Sequence, residues 1–317
     1  MLHERGDIGM PKVSKGMLKL YMKLCTRQME SHDKKQRKIT RTNEAIRIQR
    51  NISYRGDGEN GHVLDIFYPE QEPAEKLMII NIHGGRLFSG SKERNEEFNL
   101  CLAERGAQVI SLNYRLVPDV GFLDQIEDIL HAFQWIYEQR KELGYDPDRV
   151  CLTGDSAGAL LAFYAAAINL KEEMQKIFMI KGSQLQIRAL GLISGMFYLN
   201  KKDVIGRMHP LLFRGNYREA AYLPYINPRR MITSCNLPPC FLVTSEEDIL
   251  KDYTLEFNAA LERHRCSHQM HCFAKGTENE LVHAFCVVHP EWKESRQTLD
   301  EMLEYFRRCC SGMEGNF

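Results

Sequence analysis

The sequence predicts an α/β fold, with a mostly parallel central sheet flanked by helices and a helical cap. Three observations support this. From Ile46 onward, short β-rich runs alternate with longer stretches of helical periodicity, as they do when helices cover a parallel sheet. The first two runs have no helix between them and so form an antiparallel hairpin leading into the sheet. One long segment, Met196 to Pro239, interrupts the alternation with Tyr, Pro, Arg and Asn, and connections of that length are usually functional.

Taken in chain order, residues 1–50 form a separate basic piece, with thirteen Lys or Arg against five Asp or Glu. Within it Leu18, Tyr21, Met22 and Cys25 fall at i, i+3, i+4 and i+7, an apolar helical face with lysines on the other side. Such a helix either covers the main body with a solvated basic back, or serves as a membrane-surface or lid helix. Strands are expected at Arg47 to Tyr54, His62 to Tyr68, Leu77 to Ile82, Gln108 to Tyr114, Arg149 to Thr153, Ala189 to Ser194, Cys240 to Thr244 and Gln269 to Phe273. Between them, Phe122, Ile126, Ile129, Leu130, Phe133 and Ile136 make one helical stripe, and Leu255, Phe257, Ala260 and Leu261 part of another. The expected organisation is an N-terminal helical cap segment (1–50), a first core part (51–195), a cap insertion (196–239) over the carboxyl ends of the strands, and a second core part (240–317).

Composition excludes several classes of function. The 317 residues carry 42 Lys plus Arg against 42 Asp plus Glu, so no overall field draws a phosphate backbone, and nucleic acid is not an expected partner. The longest apolar stretch, Ala157 to Ile168, falls short of the roughly 20 residues that span a bilayer. The N-terminus breaks any apolar run with charges and glycines, so a cytoplasmic location is expected. Ten cysteines are then free thiols in a reducing compartment.

The expected strand Arg149 to Thr153 runs into Gly154, Asp155, Ser156, Ala157 and Gly158, after which a helix begins. A serine on so sharp a strand-to-helix turn needs glycine neighbours that lack Cβ, and the helix N-terminus favours developing negative charge. By composition G-x-S-x-G arises by chance in roughly one chain in ten of this size, so context decides. Upstream, LMIINI ends in His83, Gly84 and Gly85, where side-chain-free residues can turn N–H groups toward a carbonyl oxygen. Downstream, CFLVT ends in Ser245, Glu246, Glu247 and Asp248, and His283 follows in LVHAF. The order serine, acid, histidine is that of a hydrolase built on a parallel sheet.

His83-Gly84-Gly85, the GDSAG run at Gly154 to Gly158, the run Asp248 to Asp252, and His283-Ala284-Phe285 together resemble the hormone-sensitive-lipase-like family of carboxylesterases. NYRLVP at Asn113 to Pro118 is similar to that family's segment after the oxyanion strand. The resemblance implies an α/β-hydrolase fold, an N-terminal helical cap, an intracellular serine esterase and no cofactor. Ser156 is then the nucleophile, His283 the general base and acid, and Asp248 its orienting carboxylate, with Gly84, Gly85 and Ala157 supplying oxyanion N–H groups. The expected partner is a small-molecule ester; a homodimer is compatible with the sequence.

Some residues admit rival readings. Glu247 and Asp252 compete with Asp248, although Asp252 more naturally caps a helix beginning at Tyr253. Arg86 stands where the family usually has a third glycine. With Asp155 it is a candidate substrate contact; alternatively Arg86 pairs with Glu93 or Glu96. His264, Cys266, His268, His271 and Cys272 lack a recognised metal spacing and are expected to be structural, so no metal is assigned. Met196, Tyr198, Met208, Tyr217, Tyr222 and Tyr225 either line a substrate pocket or form the cap's own core. An amidase, lactonase or peptidase could use the same triad, and a ligand-binding relative could use the fold without catalysis.

Overall fold

The β-rich runs form one eight-stranded sheet, and each expected run lies within two residues of an observed strand. These are β1 (Arg47–Ser53), β2 (Val63–Tyr68), β3 (Met78–Ile82), β4 (Gln108–Leu112), β5 (Val150–Asp155), β6 (Ala189–Ile193), β7 (Cys240–Ser245) and β8 (His268–Phe273). The computed structural model describes residues 15–37, 45–71, 76–201, 203, 205–213, 217–276 and 278–312. Residues 1–14 and 38–44 of the basic N-terminal piece lie outside the described residues.

Spatial order across the sheet is β1-β2-β4-β3-β5-β6-β7-β8. β1 and β2 form the expected antiparallel hairpin, β2 lies antiparallel to β4, and every later pairing is parallel. β5 runs two residues past its expected end because Asp155 still pairs with Ile193 of β6. β1 also begins three residues before the boundary expected at residue 50. It is the outer edge, largely exposed, and Arg50 on it pairs with Asp65 and Glu96, which charges an edge that could otherwise pair with another chain.

The helices are α1 (Lys15–Arg37), α2 (Glu96–Glu104), α3 (Phe122–Glu138), α4 (Arg140–Leu143), α5 (Ala157–Leu170), α6 (Glu172–Phe178), α7 (His209–Leu212), α8 (Pro228–Ser234), α9 (Lys251–Arg263), α10 (Phe285–Val288) and α11 (Lys293–Cys310). Because strand side chains alternate, Met78, Ile80 and Ile82 of β3 enter a core shared with α3, α5 and α9. Ile79 points the other way, toward α2, α10 and α11. The apolar run at Ala157 to Ile168 is accounted for by α5, which is buried all round against the sheet, as a helix apolar on every face must be. Among the described residues no helix is long and apolar enough to cross a membrane.

The segment after β6 enters the core through Met196, Phe197, Tyr198 and Leu199 and continues through short helical turns, α7 and α8. Tyr164 of α5 anchors it, with its hydroxyl 2.8 Å from the carbonyls of both Tyr225 and Ile226. At the N-terminus, α1 inserts Leu18 and Met22 into the core, half-buries Cys25 and leaves Tyr21 at the edge. Thr26 Oγ1 donates to the Phe88 carbonyl at 3.3 Å, so this helix lies on the loop that follows β3.

That loop is tied to β2 by a buried ion pair: Lys92 Nζ lies 2.8 Å from Asp65 Oδ1 and 2.6 Å from Glu93 Oε1. Burial pushes the Glu93 carboxyl up, but bonds from Lys92 and Ser91 outweigh it and bring it down to about 2. Replacing Lys92 with Met removes one partner of the buried Asp65 carboxylate, leaving Arg50 and the Asn51 N–H, and should cost about 2 kcal/mol in a urea denaturation at neutral pH. A carboxylate with a depressed pKa stabilises the fold above its ordinary value of 4.5, and that contribution is lost as pH falls toward about 2. The gap between wild type and Lys92→Met should therefore narrow over that window.

Candidate active site

The serine turn is built by steric exclusion. Ser156 sits at φ 54 and ψ −116, a conformation costly for a residue with a Cβ, between the end of β5 and the first turn of α5. A Cβ on Gly154 would lie 2.6 Å from Gly158 backbone, and one on Gly158 would lie 2.0 Å from the Ile82 carbonyl oxygen. The turn is held from below by Ser156 N–H donating 2.8 Å to the Ile193 carbonyl, and by Met196 N–H donating 3.0 Å to the Ser156 carbonyl.

The loop after β3 is also shaped by glycine. Gly85 has φ 128, and a Cβ there would meet the Ser89 carbonyl oxygen at 1.9 Å. Gly84 N–H donates 2.9 Å to Asp155 Oδ1, which corrects the expected oxyanion donor set, because an N–H spent on a buried carboxylate is not free for substrate. Gly85 and Ala157 stay as the expected donors. Ala157 opens α5, so its N–H has no carbonyl one helical turn back to bond.

Asp155 also departs from expectation as a substrate contact. Its side chain is buried, and Oδ1 accepts from Gly84 N–H and, at 2.8 Å, from Asn95 Nδ2. An acid beside a nucleophile reads as solvent-facing; here its partners come from the loop after β3. His83 completes that loop. Its Nδ1 donates 2.7 Å to the Gly84 carbonyl, its ring stacks on Tyr114 at 4.4 Å, and burial pushes its pKa down to about 4. It is therefore neutral at pH 7, and Tyr114 Oη donates 2.8 Å to its carbonyl. Tyr114 lies in the NYRLVP segment, the one sequence signal that could have found this contact.

Asp248 and His283 meet at 2.7 Å, Nδ1 to Oδ1. Asp248 also accepts from Thr244 Oγ1 at 2.9 Å and from Leu250 N–H at 2.8 Å. Burial pushes its carboxyl up, yet the bond and charge of His283, with Ser194 and the Leu250 N–H, hold it below its ordinary value. The competing acids are elsewhere: Glu247 Oε2 accepts from Gly276 and Leu281 N–H groups, and Asp252 lies in the first turn of α9, a helix that starts at Lys251. The start of α9 at Lys251 corrects the expected cap at Asp252, which lies inside the helix. No hydrogen bond joins Ser156 Oγ to His283 among the described residues; such contacts often tighten only when substrate binds.

His283 follows β8, three strands from β5, so its loop must reach back across the sheet. It is tied down at each strand it crosses: Ser245 Oγ of β7 donates to the Leu281 carbonyl, and Ser194, just past β6, accepts Ala284 N–H at 3.0 Å. Ser194 also lies near enough to Asp248 to help hold that carboxyl below its ordinary value, so one hydroxyl stands between the acid and the histidine loop. Sequence reading missed Ser194, since nothing local marks it.

Arg86 is exposed and adopts φ 58, the left-handed region that explains a glycine preference at this place. Its Nη1 lies 3.5 Å from Tyr21 Oη and 3.9 Å from Cys25 Sγ of α1. The alternative pairing with Glu93 or Glu96 does not form: Glu93 takes Lys92, and Glu96 takes Arg50. His268 bonds the Cys266 carbonyl and His271 bonds Glu301. In the segment after β6, Met196, Tyr198 and Met208 are buried, while Tyr217 and Tyr222 pack on Phe213.

Comparison with known proteins matches residues 79–287 to the family model described as alpha/beta hydrolase fold. The chain belongs to this family. Within it, 96 residues are 33% identical to hormone-sensitive lipase of Bos taurus, covering 30% of this chain and 13% of that protein. A similar stretch of 98 residues is 33% identical to Lipase 2 of Moraxella sp., covering 31% of this chain and 23% of that one. The chain thus spans a small part of these curated relatives. Among solved structures, esterase B from Lactobacillus Rhamnosis matches with TM-score 0.88 and 25% identity over 94% of this chain and 97% of its own. The Pyrobaculum calidifontis esterase, 20% identical over 96% of this chain and 100% of its own with TM-score 0.69, shares the fold.

Replacing Gly85 with Ala should distort the loop after β3 and lower kcat/KM on a p-nitrophenyl ester by roughly 100-fold, the usual effect of losing one oxyanion donor. Ser194→Ala should lower kcat by about tenfold or more while leaving KM near wild type, since the hydroxyl orients the acid and the histidine loop without reaching substrate. Steady-state kinetics on the purified variants checks both.

Proposed function

We propose that the protein is a serine hydrolase of small carboxylic esters, working through an acyl-enzyme. The observation that carries this reading is the 2.7 Å Asp248–His283 pair on the same end of the sheet as a serine held at φ 54 on a strand-to-helix turn. Ser156 Oγ attacks the ester carbonyl and its proton passes to His283 Nε2. The tetrahedral oxygen takes N–H donors of Gly85 and Ala157. His283 returns the proton to the leaving alcohol, and water then releases the acid by the same steps in reverse order. Asp248, ionised well into acid, holds the imidazole by Nδ1 and favours its charged form. This chemistry asks for no cofactor.

Short acyl chains fit best. Esterase B was solved with a C4-C4 tributyrin phosphonate, and that relative matches nearly the whole chain. We take residues 1–50 and 196–239 as the cap that closes over the site, with the aromatic residues of the insertion forming its packed interior.

Ser156→Ala should abolish hydrolysis of p-nitrophenyl butyrate and block labelling by a fluorophosphonate, while wild type takes up one equivalent. Asp248→Asn should lower kcat by about 10⁴, because the wrong tautomer of His283 is then favoured. Turnover by Ser156→Ala at the wild-type rate, or faster cleavage of matched amides than of esters by wild type, would overturn the reading.

A further inference from the structure

Helix α1 has more apolar surface than its packing uses. Its inward side is Leu18 and Met22, buried in the core, with Cys25 and Thr26 half-buried beside them. A second set, Met17, Leu20, Tyr21 and Leu24, also falls at i, i+3, i+4 and i+7 and therefore forms its own stripe. Met17, Leu20 and Leu24 are 63%, 59% and 57% exposed. On the third side stand Lys19, Lys23 and Arg27, all exposed, at a spacing of four residues. A helix that only covers a core would present polar residues to water where this one presents leucine and methionine.

The position of this stripe is informative. Through Thr26 and the Arg86–Tyr21 contact, α1 lies on the loop that follows β3, beside the proposed oxyanion donors. Two more exposed apolar side chains adjoin the site in the chain: Ile249 next to Asp248 and Val282 next to His283. All of them belong to the carboxyl end of the sheet, where the catalytic groups emerge. The first fifty residues carry a net charge of plus eight, concentrating positive charge in the same segment.

We propose that this face docks on an anionic phospholipid surface, with the Met17, Leu20 and Leu24 stripe entering the headgroup boundary and Lys19, Lys23 and Arg27 meeting the lipid charge. An apolar stripe flanked by basic residues is the composition that binds such an interface, and each basic residue near it contributes roughly fivefold in partitioning. The site then opens toward the lipid, so its esters are presented from that surface; this second clause rests on the esterase reading, whereas docking does not.

The full chain should co-sediment with vesicles of phosphatidylcholine plus phosphatidylserine, less so as salt rises, and poorly with phosphatidylcholine alone. The double variants Leu20→Gln with Leu24→Gln, and Lys19→Glu with Lys23→Glu, should each weaken binding by roughly tenfold or more and leave the thermal unfolding midpoint at its wild-type value. These positions are exposed, so folding is not at stake. Ser156→Ala should bind vesicles as wild type does. Vesicle binding by a wild type without esterase activity would thus sink the esterase reading and support the docking surface. Equal binding to both vesicle types, wild-type binding by the double variants, or a dimer in sedimentation that the leucine variant dissociates, would overturn the docking proposal.

Discussion

One carboxylate holds the serine side of the site together. Asp155 ends β5, immediately before Ser156, and takes the Gly84 N–H from the loop after β3 and the Asn95 amide from the turn before α2. A buried carboxylate is costly unless its oxygens are bonded, so these partners are required by the charge itself. The same proximity fixes the sequence around it, because a Cβ on Gly84 would lie 2.2 Å from Asp155 Oδ2. With Gly158 packed on the Ile82 and His83 carbonyls, the serine turn and the loop after β3 are in close backbone contact. Under the proposed mechanism, donors fixed in this way need no reorganisation when charge develops on a substrate.

The histidine side is organised differently. Its acid and base come from β7 and from the loop after β8, and their alignment depends on side-chain hydroxyls and one glutamate tying loop backbone to strand ends. Ser194 is the only one of these beyond β6, and so connects the two sides. The serine half is thus fixed by one buried carboxylate and close backbone packing, and the histidine half by several side chains bonded to loop backbone.

Much of this was legible in the sequence. Periodicity of two and of 3.6 located the strands, the hairpin and the main helices, because burial on one or two faces imposes those periods directly. The motif order pointed to Ser156, Asp248 and His283, and the structure brings Asp248 and His283 together. What sequence concealed was the spending of hydrogen bonds. Whether the Gly84 N–H faces substrate or a carboxylate seventy-one residues away is set by tertiary packing, and neither composition nor spacing encodes it. Asp155 was misread for the same reason, and Ser194 was invisible because its importance lies in two partners distant in the chain. Arg86 kept its place at the mouth, but its neighbours Tyr21 and Cys25 come from a helix whose docking site no local pattern specifies.

The sheet order also has a mechanical meaning. The loop after β3, Ser156, Ser194, Asp248 and His283 follow β3, β5, β6, β7 and β8, which are consecutive neighbours across the sheet. Neighbouring strands are about 4.8 Å apart and each is rotated against the next by about 20–25°. The sheet is therefore a ruler laid along the proposed reaction, and the distance from Ser156 to His283 depends on its twist between β5 and β8. A core substitution under β6, such as one crowding Gly191 against Met302 and Phe306, changes that twist and hence the spacing of Ser156 and His283 without touching either residue.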